Sequence, residues 1–188
     1  MMIWQESSKL RIPAYHQPES KSIYSPIHES MSTANSVQTT RFITGALYAG
    51  LLVFLLDGTA AVIQTEFRAD RVFKYIASAI AGGAAFEGGG TFIVLGLILH
   101  FLVSLGWSLL FFLLYPKLPL LQGSRWLTGC IYGIAVWACM RFLIVPLSLA
   151  PQAAITWRGA LTGIAIHMVC VGLPISLTAW YWYRRPQA

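Results

Sequence analysis

Four stretches of the chain stay apolar long enough to cross a bilayer core of about 30 Å, which takes roughly 20 helical residues. They run over about 42–67, 91–115, 125–147 and 160–183. Pro116 and Pro119 close the second stretch, Pro146 and Pro151 the third, and Tyr181, Trp182, Tyr183, Arg184 and Arg185 form an aromatic and basic anchor at the end of the fourth. Between the first two lies RADRVFKYIASAIAGGAAFEGGG, where Arg71, Lys74 and Ser78 fall on one helical face and Val72, Tyr75, Ile76, Ala79 and Ile80 on the other. This pattern predicts a short amphipathic helix in the membrane interface over about 69–81, broken by the glycines that follow. A re-entrant loop over 69–90 is the competing form, disfavoured because lipid-exposed irregular backbone is not tolerated at depth. Residues 1–40 show no apolar period and predict a disordered cytoplasmic tail. Met31 opens a second plausible start, MSTANSVQTT, which would make 1–30 a start-site artefact. The expected fold is all-α, an integral membrane four-helix bundle over 41–185 with one interfacial helix.

Composition agrees with the pattern. Of 188 residues 56% are hydrophobic and only 11% charged, against about 25% in a soluble domain. The net charge of +6 does not point to nucleic acid, because outside the tail the basic residues other than Arg141 sit at span ends and in loops. Lys9, Arg11, Lys21, Arg41, Lys117, Arg125, Arg184 and Arg185 fall on one side of a four-span topology, against Arg68, Arg71, Lys74 and Arg158 on the other, which puts both chain ends in the cytoplasm. Cys130, Cys139 and Cys170 lie within apolar segments without metal or redox spacing and read as small core residues.

One stretch occurs twice. RFITGALYAGLLVFLLD, from Arg41 to Asp57, returns as RWLTGCIYGIAVWACMR, from Arg125 to Arg141, with the arginine, threonine, glycine and tyrosine positions at a constant offset. The second and fourth spans match more weakly, through Gly96 with His100 and Gly163 with His167, each pair four residues apart. Together these predict two tandem helical hairpins related by a pseudo-twofold axis along the membrane normal.

The repeat ends in charges of opposite sign. Asp57 and Arg141 each lie some fifteen residues into their spans, about 22 Å from the cytoplasmic edge, and His100 lies about 13 Å from the outer edge. A lone charge there costs on the order of 2–4 kcal/mol, so Asp57 and Arg141 are expected to pair, with His100, His167 and Gln64 taking hydrogen bonds. An Arg141 that snorkels to the headgroups is the alternative. Gly45, Gly50, Gly96, Gly129, Gly133 and Gly163 are expected to let helices approach closely.

An ordered set of short motifs runs through the spans: YIAS (75–78), AAFEGGG (84–90), LGL (95–97), His100 with Phe101, Tyr115 with Pro116, IVPLS (144–148) and GLPISL (172–177). From Phe42 to Tyr183 the chain resembles a group of small uncharacterised bacterial multi-pass inner-membrane proteins, and the resemblance implies that setting without lending an activity. Three functions follow from the residues. The first is binding or conduction of an ion, proton or small polar solute at Asp57, Arg141, His100, His167 and Gln64. The second is a non-catalytic membrane subunit or scaffold, joined to a second copy or a membrane partner through small-residue faces. The third is a b-type haem protein ligated by His100 and His167. No hydrolase motif is present and no enzyme is expected; outside the haem alternative, no cofactor or metal is expected either.

Overall fold

The computed structural model describes residues 24–184, with side chains from Thr39 onward. The chain divides into two units, Met1–Val37 and Gln38–Ala188. The expected disordered tail lies outside the described residues up to position 23, and from Tyr24 the first unit is helical. Pro26 falls in the first turn, where a missing N–H is harmless, and neither Pro nor Gly follows until Gly45, so nothing in the sequence stops the helix.

The second unit is all-helical among its described residues. Helix α1 is Tyr24–Gln64, with Thr39–Gln64 long and apolar enough to span. Helices α2 (Ala69–Ala81) and α3 (Ala84–Glu87) are short. The other three spans are α4 (Gly90–Leu114), α5 (Arg125–Leu147) and α6 (Trp157–Arg184). The chain turns from α1 to α2 through Glu66 and Phe67, both in left-handed backbone. The Thr65 hydroxyl donates back to the Val62 carbonyl at 3.0 Å as α1 ends.

Two long helices are not uniform. Within α5 the residues Met140–Ile144 form a π-helical segment, and within α6 the residues His167–Gly172 form another. A π segment takes more residues per turn than the α-helix around it, so it shifts the face on which every later side chain emerges.

Small residues set the helix contacts. A Cβ at Gly50 would stand 3.1 Å from Leu105 Cα, which joins α1 to α4. Gly96 faces the Phe73 carbonyl so closely that no side chain fits, which seats α2 on α4. Gly129 and Gly133 of α5 meet Gly172 and the backbone of His167 and Met168 in α6, and Gly163 lies under the Trp137 indole. Gly45 meets side chains instead, Phe112 and Trp182.

The core fills one end of the bundle. Ala46, Ala49, Val53, Phe111, Phe112, Val136, Val171, Ile175 and Ala179 are buried there. Tyrosines tie it together: Tyr183 donates to the Phe112 carbonyl at 3.0 Å, Tyr132 to the Trp107 carbonyl at 2.7 Å, and the Tyr115 and Tyr183 rings stack at 5.0 Å. Leu51, Leu55 and Leu56 face outward, toward lipid.

Helix α2 has the expected bounds but a different inner face. Ser78, read as polar and outward, is fully buried beside Val72 and Ala77, while Ile80 is 60% exposed. Burial is tolerated because the Ser78 hydroxyl donates to the Tyr75 carbonyl at 2.6 Å. Tyr75 in turn donates to the Pro151 carbonyl at 3.3 Å, and Leu149 N–H to the Ala79 carbonyl at 3.0 Å, so α2 is also held by the chain leaving α5.

Candidate functional site

At the end of the bundle away from the core, the helices part around a cleft of about 710 Å³. Helix α1 contributes Asp57, Gly58, Ala61, Gln64 and Thr65, and α4 contributes His100. From α5 come Trp137 and Met140, and from α6 Gly163, Ile166 and His167. Helix α2 lines it with Arg71, Val72, Tyr75 and Ile76, and α3 with Phe86. A space of this size suits a small ligand, and its few polar groups among apolar walls are of the kind that orient one.

Asp57 is half-buried in this cleft, and its carboxylate makes no hydrogen bond or ion pair among the described residues. Gln64 stands two helical turns further along the same face, about 10 Å away. His100 is buried against α1: its Nε2 lies 3.2 Å from the Phe54 carbonyl, and a Cβ at Gly58 would come within 3.1 Å of that nitrogen. A carbonyl only accepts, so Nε2 carries the proton and Nδ1 of the neutral ring is the acceptor. The Phe54 and Phe73 rings flank it at 5.3 and 6.4 Å. Below His100 a ladder of buried hydroxyls runs down α4, Ser104 donating to the His100 carbonyl at 2.8 Å and Ser108 to the Ser104 carbonyl at 3.0 Å. His167 opens the π segment of α6 and donates from Nδ1 to the Gly163 carbonyl at 2.9 Å, which leaves its Nε2 without a protein partner among the described residues.

The expected pairing of Asp57 with Arg141 is not formed. Among the described residues the one ion pair is Arg68 with Asp70, at 4.0 Å, and the Arg141 guanidinium donates to the Ala153 carbonyl in the segment joining α5 to α6. Asp57 lies within α1 and lines the cleft, whereas Arg141 lies in the π-helical segment of α5 with its guanidinium taken up by the Ala153 carbonyl, so equal sequence offset does not bring the two charges together. The cation that shares the cleft with Asp57 is Arg71 of α2.

The glycine four residues before each histidine is closely covered, Gly96 by the Phe73 carbonyl and Gly163 by the Trp137 indole, and His100 turns its Nε2 to the Phe54 carbonyl. Four of the five polar residues anticipated from the sequence thus line one cleft, and Arg141 does not. Arg71, Trp137 and Met140 were missed as site residues. Arg71 carries a signal, a basic residue next to the first span, but the pattern places it on the polar face of an interfacial helix.

The chain matches no protein-family model, no curated protein and no solved structure in comparisons with each.

Proposed function

We propose that this chain is a multi-pass protein of the bacterial inner membrane, with both ends in the cytoplasm, that binds or conducts an ion, a proton or a small polar solute through the cleft at Asp57. The observation that carries this reading is the convergence of a carboxylate without a protein partner and two imidazoles on one cleft of about 710 Å³. A carboxylate left in hydrocarbon would cost on the order of 2–4 kcal/mol, so its presence on a span is best explained by water or a ligand reaching it. Each imidazole keeps one acceptor nitrogen, which suits proton exchange with whatever Asp57 holds. The chemistry needed is binding and passage, not bond breaking, and we read the protein as non-enzymatic. The tandem-hairpin reading belongs here too: both matched stretches line the cleft, with Asp57 from one and Trp137 with Met140 from the other. The scaffold reading has less to rest on, since the six glycines named for packing each meet a neighbour within the chain.

Flux into proteoliposomes tests the reading, with an enclosed pH-sensitive dye under a potassium diffusion potential in one arm and a sodium gradient in the other. Wild-type vesicles are expected to exceed protein-free ones in at least one arm, and Asp57→Asn vesicles to fall to the protein-free rate. Wild-type flux equal to protein-free flux in both arms would count against an ion or proton as the cargo. Undiminished flux through Asp57→Asn would remove Asp57 from the site.

A further inference from the structure

The opposite end of the bundle carries a second arrangement. Arg125 opens α5 and Arg184 closes α6, and both guanidiniums lie on the Trp180 ring, at 4.1 and 5.1 Å from its centroid. Arg125 also reaches the Trp126 ring at 5.7 Å. Neither guanidinium makes a hydrogen bond or an ion pair among the described residues. Among residues 39–184 the acids are Asp57, Glu66, Asp70 and Glu87, all toward the cleft end, so none of these lies beside the two arginines. A guanidinium held over an indole by cation–π attraction spends no N–H on a hydrogen bond, so its N–H groups remain for an oxyanion. The N-terminus of α5 adds the positive end of its helix dipole at the same place.

From this we infer that Arg125, Arg184 and Trp180 form a binding site for the phosphate of an anionic phospholipid. A lipid fits better than free phosphate because the two arginines sit at the ends of spans, where headgroups lie. The surface of α5 also continues inward from the site as exposed apolar Trp126, Leu127 and Ile131, on which an acyl chain can lie. Preset stacking reduces the freedom each arginine loses on binding. The site is separate from the cleft and stands whether or not the cleft conducts.

Native mass spectrometry of detergent-purified protein titrated with phosphatidylglycerol or phosphatidylcholine tests this. The wild type is expected to retain phosphatidylglycerol in preference, and Arg125→Gln with Arg184→Gln to weaken that retention about thirtyfold, from roughly 1 kcal/mol for each basic residue near a membrane surface. Arg125→Lys with Arg184→Lys, which keeps the charge without the flat stack, is expected to bind at an intermediate level. Arg158→Gln, at the other end on Trp157, is expected to leave retention unchanged. Equal retention of the two lipids, equal loss in Arg158→Gln, or full retention in the double glutamine variant would overturn the site. Displacement of phosphatidylglycerol by millimolar inorganic phosphate would overturn the lipid as its occupant.

Discussion

The two copies of the repeated stretch begin alike and end in different surroundings. In α1 the stretch stays α-helical, its glycines meet side chains and the flank of α4, and its last residue, Asp57, enters the cleft. In α5 the glycines lock backbone to backbone against α6, the helix changes pitch at Met140, and its last residue, Arg141, swings out to the Ala153 carbonyl. The matched stretches differ in what they contact: the first carries a carboxylate into the cleft, and the second makes a close backbone seam with α6. The lesson is that matching sequence does not by itself decide which residues meet.

That contrast is sharpest at the glycines. Gly133→Ala would drive its Cβ into the His167 carbonyl and Met168 Cα, backbone that cannot yield without moving α6. Gly45→Ala would press on the Phe112 and Trp182 side chains rather than on backbone. Thermal unfolding in detergent is expected to show a loss of about 3 kcal/mol or more for Gly133→Ala and about 1 kcal/mol for Gly45→Ala. Equal losses would mean that the two seams do not differ.

The charged ends come next in size. If Asp57 has no cationic partner, Asp57→Asn removes an unpaired carboxylate and is expected to leave stability unchanged or raise it by up to about 2 kcal/mol. Breaking a buried pair would instead cost about 3–5 kcal/mol. A double-mutant cycle with Arg141→Gln is expected to be additive within about 0.5 kcal/mol. A larger coupling energy would restore the pair.

The tyrosines shared by the copies give the smallest difference. Tyr132→Phe deletes the hydrogen bond to the Trp107 carbonyl and is expected to cost about 1 kcal/mol. Tyr48 stacks its ring on Trp182 at 5.9 Å and is half exposed, so Tyr48→Phe is expected to change stability by less than about 0.5 kcal/mol.

Much of this architecture is legible in the sequence, and the rest is hidden for physical reasons. Apolar length fixes the spans to within a few residues, because lipid leaves the backbone few alternatives to a helix. The same constraint makes Asp57, His100, His167 and Gln64 conspicuous as polar groups among apolar ones. Pitch is not written in hydropathy: nothing in the apolar pattern of the third and fourth spans marks Met140–Ile144 and His167–Gly172 as π-helical, nor Ala153 as the partner of Arg141. The seating of α2 is hidden likewise, since it depends on Gly96 admitting the Phe73 carbonyl, a contact between distant positions. The glycine at 172 completes the α5 seam but lies outside the repeat that drew attention to the others.

An aqueous cleft at Asp57 can be probed directly. With Cys130, Cys139 and Cys170 replaced by Ala, a cysteine is placed at Asp57 or, as a lipid-facing control, at Leu55, and intact proteoliposomes are treated with a small membrane-impermeant thiosulfonate. Asp57→Cys is expected to be modified rapidly and Leu55→Cys hardly at all. Protection of Asp57→Cys equal to that of Leu55→Cys would mean that no water reaches position 57, and that the cleft is not a site.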